Sequence, residues 1–149
     1  MTESRTLEEF RAKFRVEALK VLENRSWTWS VRPGQPTLGA GIVSLNRYAG
    51  KFSDVTKEEM QDLADLVGTL EGTIQQAFNH NIMNYLMLMM VDHHVHYHVI
   101  PRYQGTRSFA GSEWVDNGWP ALPALADSQH QDDPDVLHLI QEKLIAAAN

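Results

Sequence analysis

The stretch HHVHYHVIPR, residues 93–102, carries four of the chain's seven histidines, and three of them take every second position: His94, His96 and His98. In an extended strand, residues i, i+2 and i+4 project from one face. The three imidazoles then share a face, about 6.6 Å from one to the next at ~3.3 Å per residue. Val95, Tyr97 and Val99 take the opposite face, which suits a core. Three readings compete. The plain one is an exposed strand whose histidines are ordinary surface residues, although Lys, Glu or Thr are commoner in that setting. The second is a metal site: alternating histidines can supply two ligands to zinc or iron, with Asp92 adjacent or His80 arriving from elsewhere. The third is nucleophilic catalysis on phosphorus. A neutral imidazole nitrogen can attack a phosphoryl centre, while its neighbours orient it, donate to the phosphate oxygens and assist the leaving group. That reading uses three histidines in three roles and requires no metal.

Such a row has to be held by a framework, and the rest of the chain supplies one. Thr6 to Glu9, T-L-E-E, reads as a capping box opening a short helix through about Phe14. Trp27, Trp29 and Val31 alternate with Thr28 and Ser30, a strand pattern, with Leu19, Val21 and Glu23 as its hairpin partner. RPGQPTLGAG is a loop, and Gly41 to Leu45 the next strand. Thr56 and Glu59 form a second capping box. Met60, Leu63, Val67, Leu70, Ile74, Ala77 and Phe78 recur at helical spacing, so a helix is expected over about 57–78. Gly68 and Gly72 inside it each cost about 1 kcal/mol relative to Ala and would let another backbone approach. Met83 to Met90 reads as a short buried strand, followed by a turn and a strand from His94 to Ile100, which Pro101 should end. The tail from Arg107 is expected to be irregular but packed, because Phe109, Trp114 and Trp119 would be costly to expose together. Pro134 after Asp133 starts a last helix to about Ala147. Helix, strands, long helix, strands, helix, without βαβ alternation, favours an α+β fold with an antiparallel sheet.

The run His94-Val95-His96-Tyr97-His98-Val99-Ile100 resembles the signature of the histidine triad (HIT) family, in which three histidines alternate with apolar residues and two apolar residues follow. Pro101-Arg102 is also common there. The wider layout is similar, with GIVSLNR as the glycine-led strand and FSDVTKEE leading into the long helix. The resemblance covers about residues 16–104 of a single domain spanning 1–149; the tail from 105 to 149 varies in this family. It implies an α+β, HIT-like fold with a five-stranded antiparallel sheet, one long helix and terminal helices, usually assembled as a homodimer. It implies a nucleotide hydrolase or nucleotidyl transferase working without a cofactor at the α-phosphorus. Nucleoside phosphoramidates, dinucleoside polyphosphates and related nucleotidyl conjugates are the substrates implied. By resemblance, His96 is the nucleophile and forms a nucleotidyl-histidine. His98 contacts the α-phosphate and assists the leaving group, and His94 holds the nucleophilic ring in its productive tautomer. The alternatives are a metal-dependent hydrolase using the same histidines and a nucleotide-binding module with little catalysis.

The chain departs from the family pattern at three places. Met90 stands where many members carry a phosphate-contacting Gln, Gly39-Ala40 where many carry Gly-His, and Arg47-Tyr48 where Arg-His is common. Three polar residues are candidates to complete the site. Asn84 offers a contact from the neighbouring strand, or satisfies local backbone. Arg32 offers a bidentate phosphate contact, or is a solvated loop arginine. Arg102 offers a grip on a distal phosphate, or a surface ion pair. Trp27 and Trp29 could stack a base but suit a core better, and the methionines from Met83 to Met90 are core filling. His93 alternates away from the triad face.

Composition sets the outer limits. With 149 residues, 43% of them hydrophobic and 21% charged, the chain suits one globular domain. A net charge of -6 argues against a general nucleic-acid binder, though not against a nucleotide in a local pocket. There are no cysteines, so disulfides and thiol catalysis are excluded. The opening MTESRTLEEFRAKFR has no apolar h-region, and the longest apolar run is too short for a bilayer. A cytoplasmic location and no membrane partner are therefore expected.

Overall fold

Trp27, Trp29 and Val31 are all fully buried on one face of strand β2 (Trp27–Val31), where their alternation with Thr28 and Ser30 puts the largest apolar surface of the chain into the core. The computed structural model describes residues 2–129 and 133–148. β2 pairs antiparallel with β1 (Lys20–Glu23) on one side and with β3 (Gly41–Leu45) on the other. β3 pairs with β5 (His96–Arg102), and β5 with the edge strand β4 (Ile82–Leu86). The result is a five-stranded antiparallel sheet in the order β1-β2-β3-β5-β4. The α+β architecture expected from the order of elements is the one observed.

Helix α2 (Lys57–Phe78) makes the crossover from β3 to β4, after a short 3-10 turn over Phe52–Asp54. Its capping box is complete: the Thr56 hydroxyl accepts from the Glu59 N–H and the Glu59 carboxylate accepts from the Thr56 N–H. Leu66, Leu70, Ile74 and Phe78 turn inward onto the tryptophan face. Helix α3 (Pro134–Ala147) is capped by the Asp133 carboxylate and adds Leu137, Ile140 and Leu144 to the same core. Each of these side chains contributes about 1.5–3 kcal/mol by leaving water. On the other face of the sheet lies α1 (Glu3–Lys13), whose Phe10 packs with Val16 and Ile42 in a second, smaller cluster. The domain thus has three layers: α2 and α3, the sheet, and α1. Among the described residues no helix is long and apolar enough to cross a membrane.

Five local expectations change. The first helix is capped by Thr2, not Thr6, whose hydroxyl instead donates to the Thr2 carbonyl one turn back. β4 stops at Leu86, because the chain then leaves the sheet and exposes Leu88 and Met90. The triad strand is shifted: it starts at His96 and continues through Pro101 and Arg102. Pro101 is tolerated because its backbone faces away from β4, where its carbonyl accepts the Thr37 hydroxyl at 2.6 Å and no strand asks for the missing N–H. The tail contains a hairpin of β6 (Arg107–Phe109) and β7 (Ser112–Trp114), turned by Ala110 and Gly111 at positive φ. Gly68 and Gly72 face open space and serve no close packing.

Candidate functional site

β5 carries His96 and His98 on the face away from α2, with Ser44 directly opposite His96 and Ile42 opposite His98 on β3. His94 sits two residues before the strand, with Val95 between. Val95 there is fixed by its N–H to the Ala49 carbonyl (2.8 Å) and its carbonyl to the Leu45 N–H (3.2 Å). The three rings are brought together: His96 and His98 centroids are 5.1 Å apart in an edge-on arrangement.

Each ring has a distinct tether. The His96 Nδ1 hydrogen-bonds the carbonyl of His94 at 2.6 Å, so Nδ1 carries the proton and Nε2 keeps its lone pair. Nε2 is buried and has no hydrogen-bond partner among the described residues. The group that orients His96 is therefore the main chain of His94 rather than its ring. The His94 ring is itself pinned between two backbone groups, with Nε2 donating to the Leu45 carbonyl (2.7 Å) and Nδ1 accepting from the Ala49 N–H (3.3 Å). Tyr48 stacks on it at 5.7 Å. His98 receives a hydrogen bond at Nδ1 from the Arg32 Nε–H (3.2 Å), which leaves the proton of the neutral ring on Nε2. Arg32 is anchored in turn by donating to the Gly34 carbonyl at 2.8 Å.

Burial holds all three rings neutral. It lowers His94 to about 4, against the opposing effect of the ring's hydrogen bond to the Leu45 carbonyl. It lowers His98 to about 4, with the Arg32 charge adding to the effect. His96 is lowered too, chiefly by burial, while the His94 carbonyl pulls the other way. At neutral pH the His96 ring is neutral, with the lone pair on Nε2.

The histidine face is not open, as a polar row alone would suggest. α1 lies across it. The Phe10 ring centroid is 5.0 Å from that of His94 and 4.9 Å from that of His96. Phe14 lies 6.0 Å from His96 and 6.2 Å from His98. Beneath them the Ser30 and Ser44 hydroxyls are buried without a partner among the described residues. Two openings flank the helix. One, of about 490 Å³, reaches His94 between Glu9, Lys13, Tyr48 and Asp92. The other, of about 350 Å³, reaches His98 between Lys13, Arg32, Met90 and Asp92. The ion pair Lys13 Nζ–Asp92 Oδ1, at 2.8 Å, stands between them.

The remaining sequence candidates lie elsewhere. Arg102 is at the far end of β5, buried, with its guanidinium on the Asp116 carboxylate (2.7 and 3.2 Å) and on the Asn84 Oδ1 (2.7 Å). Asp116 also accepts the Tyr103 N–H, so this group ties the tail to the sheet. Arg47 is held by Glu59. Trp27 and Trp29 lie in the core on the opposite face from the histidines. His93 is an exposed turn residue, His80 stands near the Arg102 end of the sheet, and His138 pairs with Glu142 on α3. His130 lies outside the described residues. Phe10, Phe14, Lys13 and the Asp92 pairing escaped the sequence reading; the one available signal was the i,i+4 spacing of the two phenylalanines on an amphipathic helix.

A triad in which the ring of His94 has both nitrogens engaged and that of His98 faces a guanidinium does not suit a metal ion. Among the described residues no group of three or more His, Asp or Glu side chains is arranged to hold one.

No family model matches the sequence, and no curated protein does. Solved structures do match. A hypothetical histidine triad nucleotide-binding protein from Sulfolobus tokodaii strain7 aligns with a TM-score of 0.65 at 17% identity, over 87% of this chain and 83% of that one. A Hit-like protein involved in cell-cycle regulation from Bartonella henselae aligns at 0.63 and 16% identity, over 93% and 94%. A zinc-bound histidine triad family protein from Mycobacterium smegmatis aligns at 0.62 and 15%, over 95% and 96%. At these identities the likeness is one of fold, and it extends over nearly the whole chain. The chain has the fold of the histidine triad proteins.

Proposed function

We propose that this protein is a nucleotide hydrolase or nucleotidyl transferase that cleaves at the α-phosphate through a covalent nucleotidyl-His96. The observation that carries this reading is the state of His96: its Nδ1–H is tied to the His94 carbonyl, and its Nε2, beside His98, has no hydrogen-bond partner among the described residues. The Nε2 lone pair attacks the α-phosphorus, and the bond from phosphorus to the leaving group breaks with its electron pair. The cationic phosphorylated ring is stabilised by the hydrogen bond to the His94 carbonyl. His98, protonated at Nε2, donates to an oxygen of the reacting phosphate, which gains charge in the transition state. Water then attacks phosphorus, the P–Nε2 bond breaks, one water proton is lost to solvent, and the nucleoside monophosphate leaves. An alcohol or a phosphate in place of water would make the second step a transfer. In this reading Arg32 works through His98, while Asn84 and Arg102 fix the tail through Asp116. The active form is a homodimer, with the unpaired edge of β4 and its half-buried side chains available to a second copy.

The test is turnover of nucleoside phosphoramidates and dinucleoside polyphosphates by wild type and His96→Ala, with and without chelator. The expected result is chelator-resistant hydrolysis that the substitution abolishes. Retained turnover in the variant would overturn the mechanism, and loss of wild-type activity on chelation would favour a metal.

A further inference from the structure

Two cations, Lys13 and Arg32, line the opening at His98. Arg32 touches the His98 ring directly. Lys13, in the last turn of α1, holds Asp92. The opening of about 350 Å³ at His98 and a second cavity of about 330 Å³, bounded by Gly34, Leu125 and Ser128, share Lys13, Phe14 and Arg32 as walls. Asp92 is the one carboxylate lining either of them among the described residues. In a chain of net charge -6, a paired cationic wall whose one counter-charge among the described residues sits on a loop is a local exception. Met90, 83% exposed at this mouth, offers no hydrogen bond to an anion.

We infer that Lys13 and Arg32 form a subsite for an oligophosphate leaving group, and that Asp92 occupies Lys13 until that group displaces it. The inference rests on the reading of His96 and His98 above and deepens it. It has a second support in the tautomer. Arg32 fills the Nδ1 of His98, so the ring has a single proton, at Nε2, and giving it up would leave an imidazolate. His98 can donate a hydrogen bond but cannot protonate a departing amine. A phosphate leaves as a stable oxyanion and needs no proton; an amine does. The bond that breaks is then P–O, its electron pair goes to the bridging oxygen, and the charge that forms is met by Lys13 and Arg32. The same wall is vacated by Asp92 as the ion pair exchanges, since a pair this close to solvent is held only weakly.

Calorimetric titration with inorganic tripolyphosphate at fixed ionic strength tests the subsite without a nucleoside. Wild type should bind. Lys13→Gln should weaken binding about tenfold, equivalent to about 1.4 kcal/mol, and Asp92→Asn should tighten it several-fold. Both positions are at the surface, so folding is checked simply by circular dichroism. Opposite shifts in the two variants establish the exchange, because a purely structural ion pair would weaken binding in both or neither. No binding by wild type, or no difference in Lys13→Gln, overturns the inference. Turnover separates it from the reading beneath. If the opposite shifts appear while no nucleotide is hydrolysed, the subsite stands and the proposed function falls. If hydrolysis depends on His96 while tripolyphosphate binding ignores Lys13, the proposed function stands and the subsite falls. Among substrates turned over, the ratio of kcat/KM for diadenosine tetraphosphate to that for adenosine phosphoramidate should fall about tenfold in Lys13→Gln; an unchanged ratio counts against the subsite.

Discussion

Phe10 lies against His96 with ring centroids 4.9 Å apart and the planes tilted by 56°. The His96 Nε2 is buried beneath this contact, so under the proposed mechanism Phe10 has to move before a substrate reaches it. Phe10→Ala should cost about 3 kcal/mol in urea unfolding, within the range for a buried phenylalanine. It should also speed modification of the triad by diethyl pyrocarbonate. If the rate of histidine modification were unchanged, α1 would not be what limits access.

Acid should weaken the fold through the same histidines. His94 and His98 are pushed down to about 4 by burial, whereas in the unfolded chain they titrate near 6.5. Above pH 6.5 both states hold the rings neutral, and nothing changes. Between 6.5 and 4 the unfolded chain takes up protons that the folded chain refuses. Stability therefore falls as pH falls, by at most about 1.4 kcal/mol per pH unit for each ring. Urea midpoints at pH 7.5, 6 and 5 should fall in that order. A flat profile from 6.5 to 5 would contradict the buried neutral triad.

Arg32→Gln removes the donor to His98 Nδ1 and the adjacent charge. The His98 ring should then titrate at higher pH and sample both tautomers, and kcat should drop about tenfold if one tautomer is needed. Nitrogen-15 NMR of the histidine ring reads the tautomer directly. The same titration in Arg32→Lys separates charge from geometry, because lysine keeps the first and loses the fork. An unmoved His98 in Arg32→Gln would remove Arg32 from the site.

Asp116→Ala should be among the most damaging substitutions away from the histidines. It leaves the Arg102 guanidinium buried with its carboxylate gone, a loss of about 3–5 kcal/mol. The Tyr103 N–H also loses its acceptor. The damage should show in denaturant unfolding and in proteolysis of the tail after residue 104. Stability within 1 kcal/mol of wild type, a small change on this scale, would mean the pair is not what anchors the tail.

Elements whose periodicity and caps agree were readable in the sequence. β2 and β3 fall on the expected residues, as does α2 with its Thr56–Glu59 box, and α3 starts at Pro134 after Asp133. The first helix starts before the T-L-E-E box because Thr2 also offers a cap, its hydroxyl accepting the Arg5 N–H, and the two threonines look alike in the sequence. The start of β5 was misread because alternation of side chains continues through His94 while strand pairing does not. The histidine row was evident from its spacing. Its cover was not, since Phe10 and His96, or Lys13 and Asp92, are far apart in sequence and leave no local pattern. Arg102 drew attention for its charge; that the charge is spent on Asp116 depends on a tail that folds back.

The cover has a consequence for motion. Phe10 of α1 covers His96, whose Nε2 has no hydrogen-bond partner among the described residues, and a buried polar atom left so costs about 1–3 kcal/mol. Lifting the helix lets water or a ligand reach that nitrogen, which offsets part of the loss of Phe10 packing. Opening is then expected as a local unfolding event below the global one. In native-state hydrogen exchange the amides of α1 should trade with solvent through such an opening, while those of α2 and of β2 and β3 wait for the whole domain to unfold.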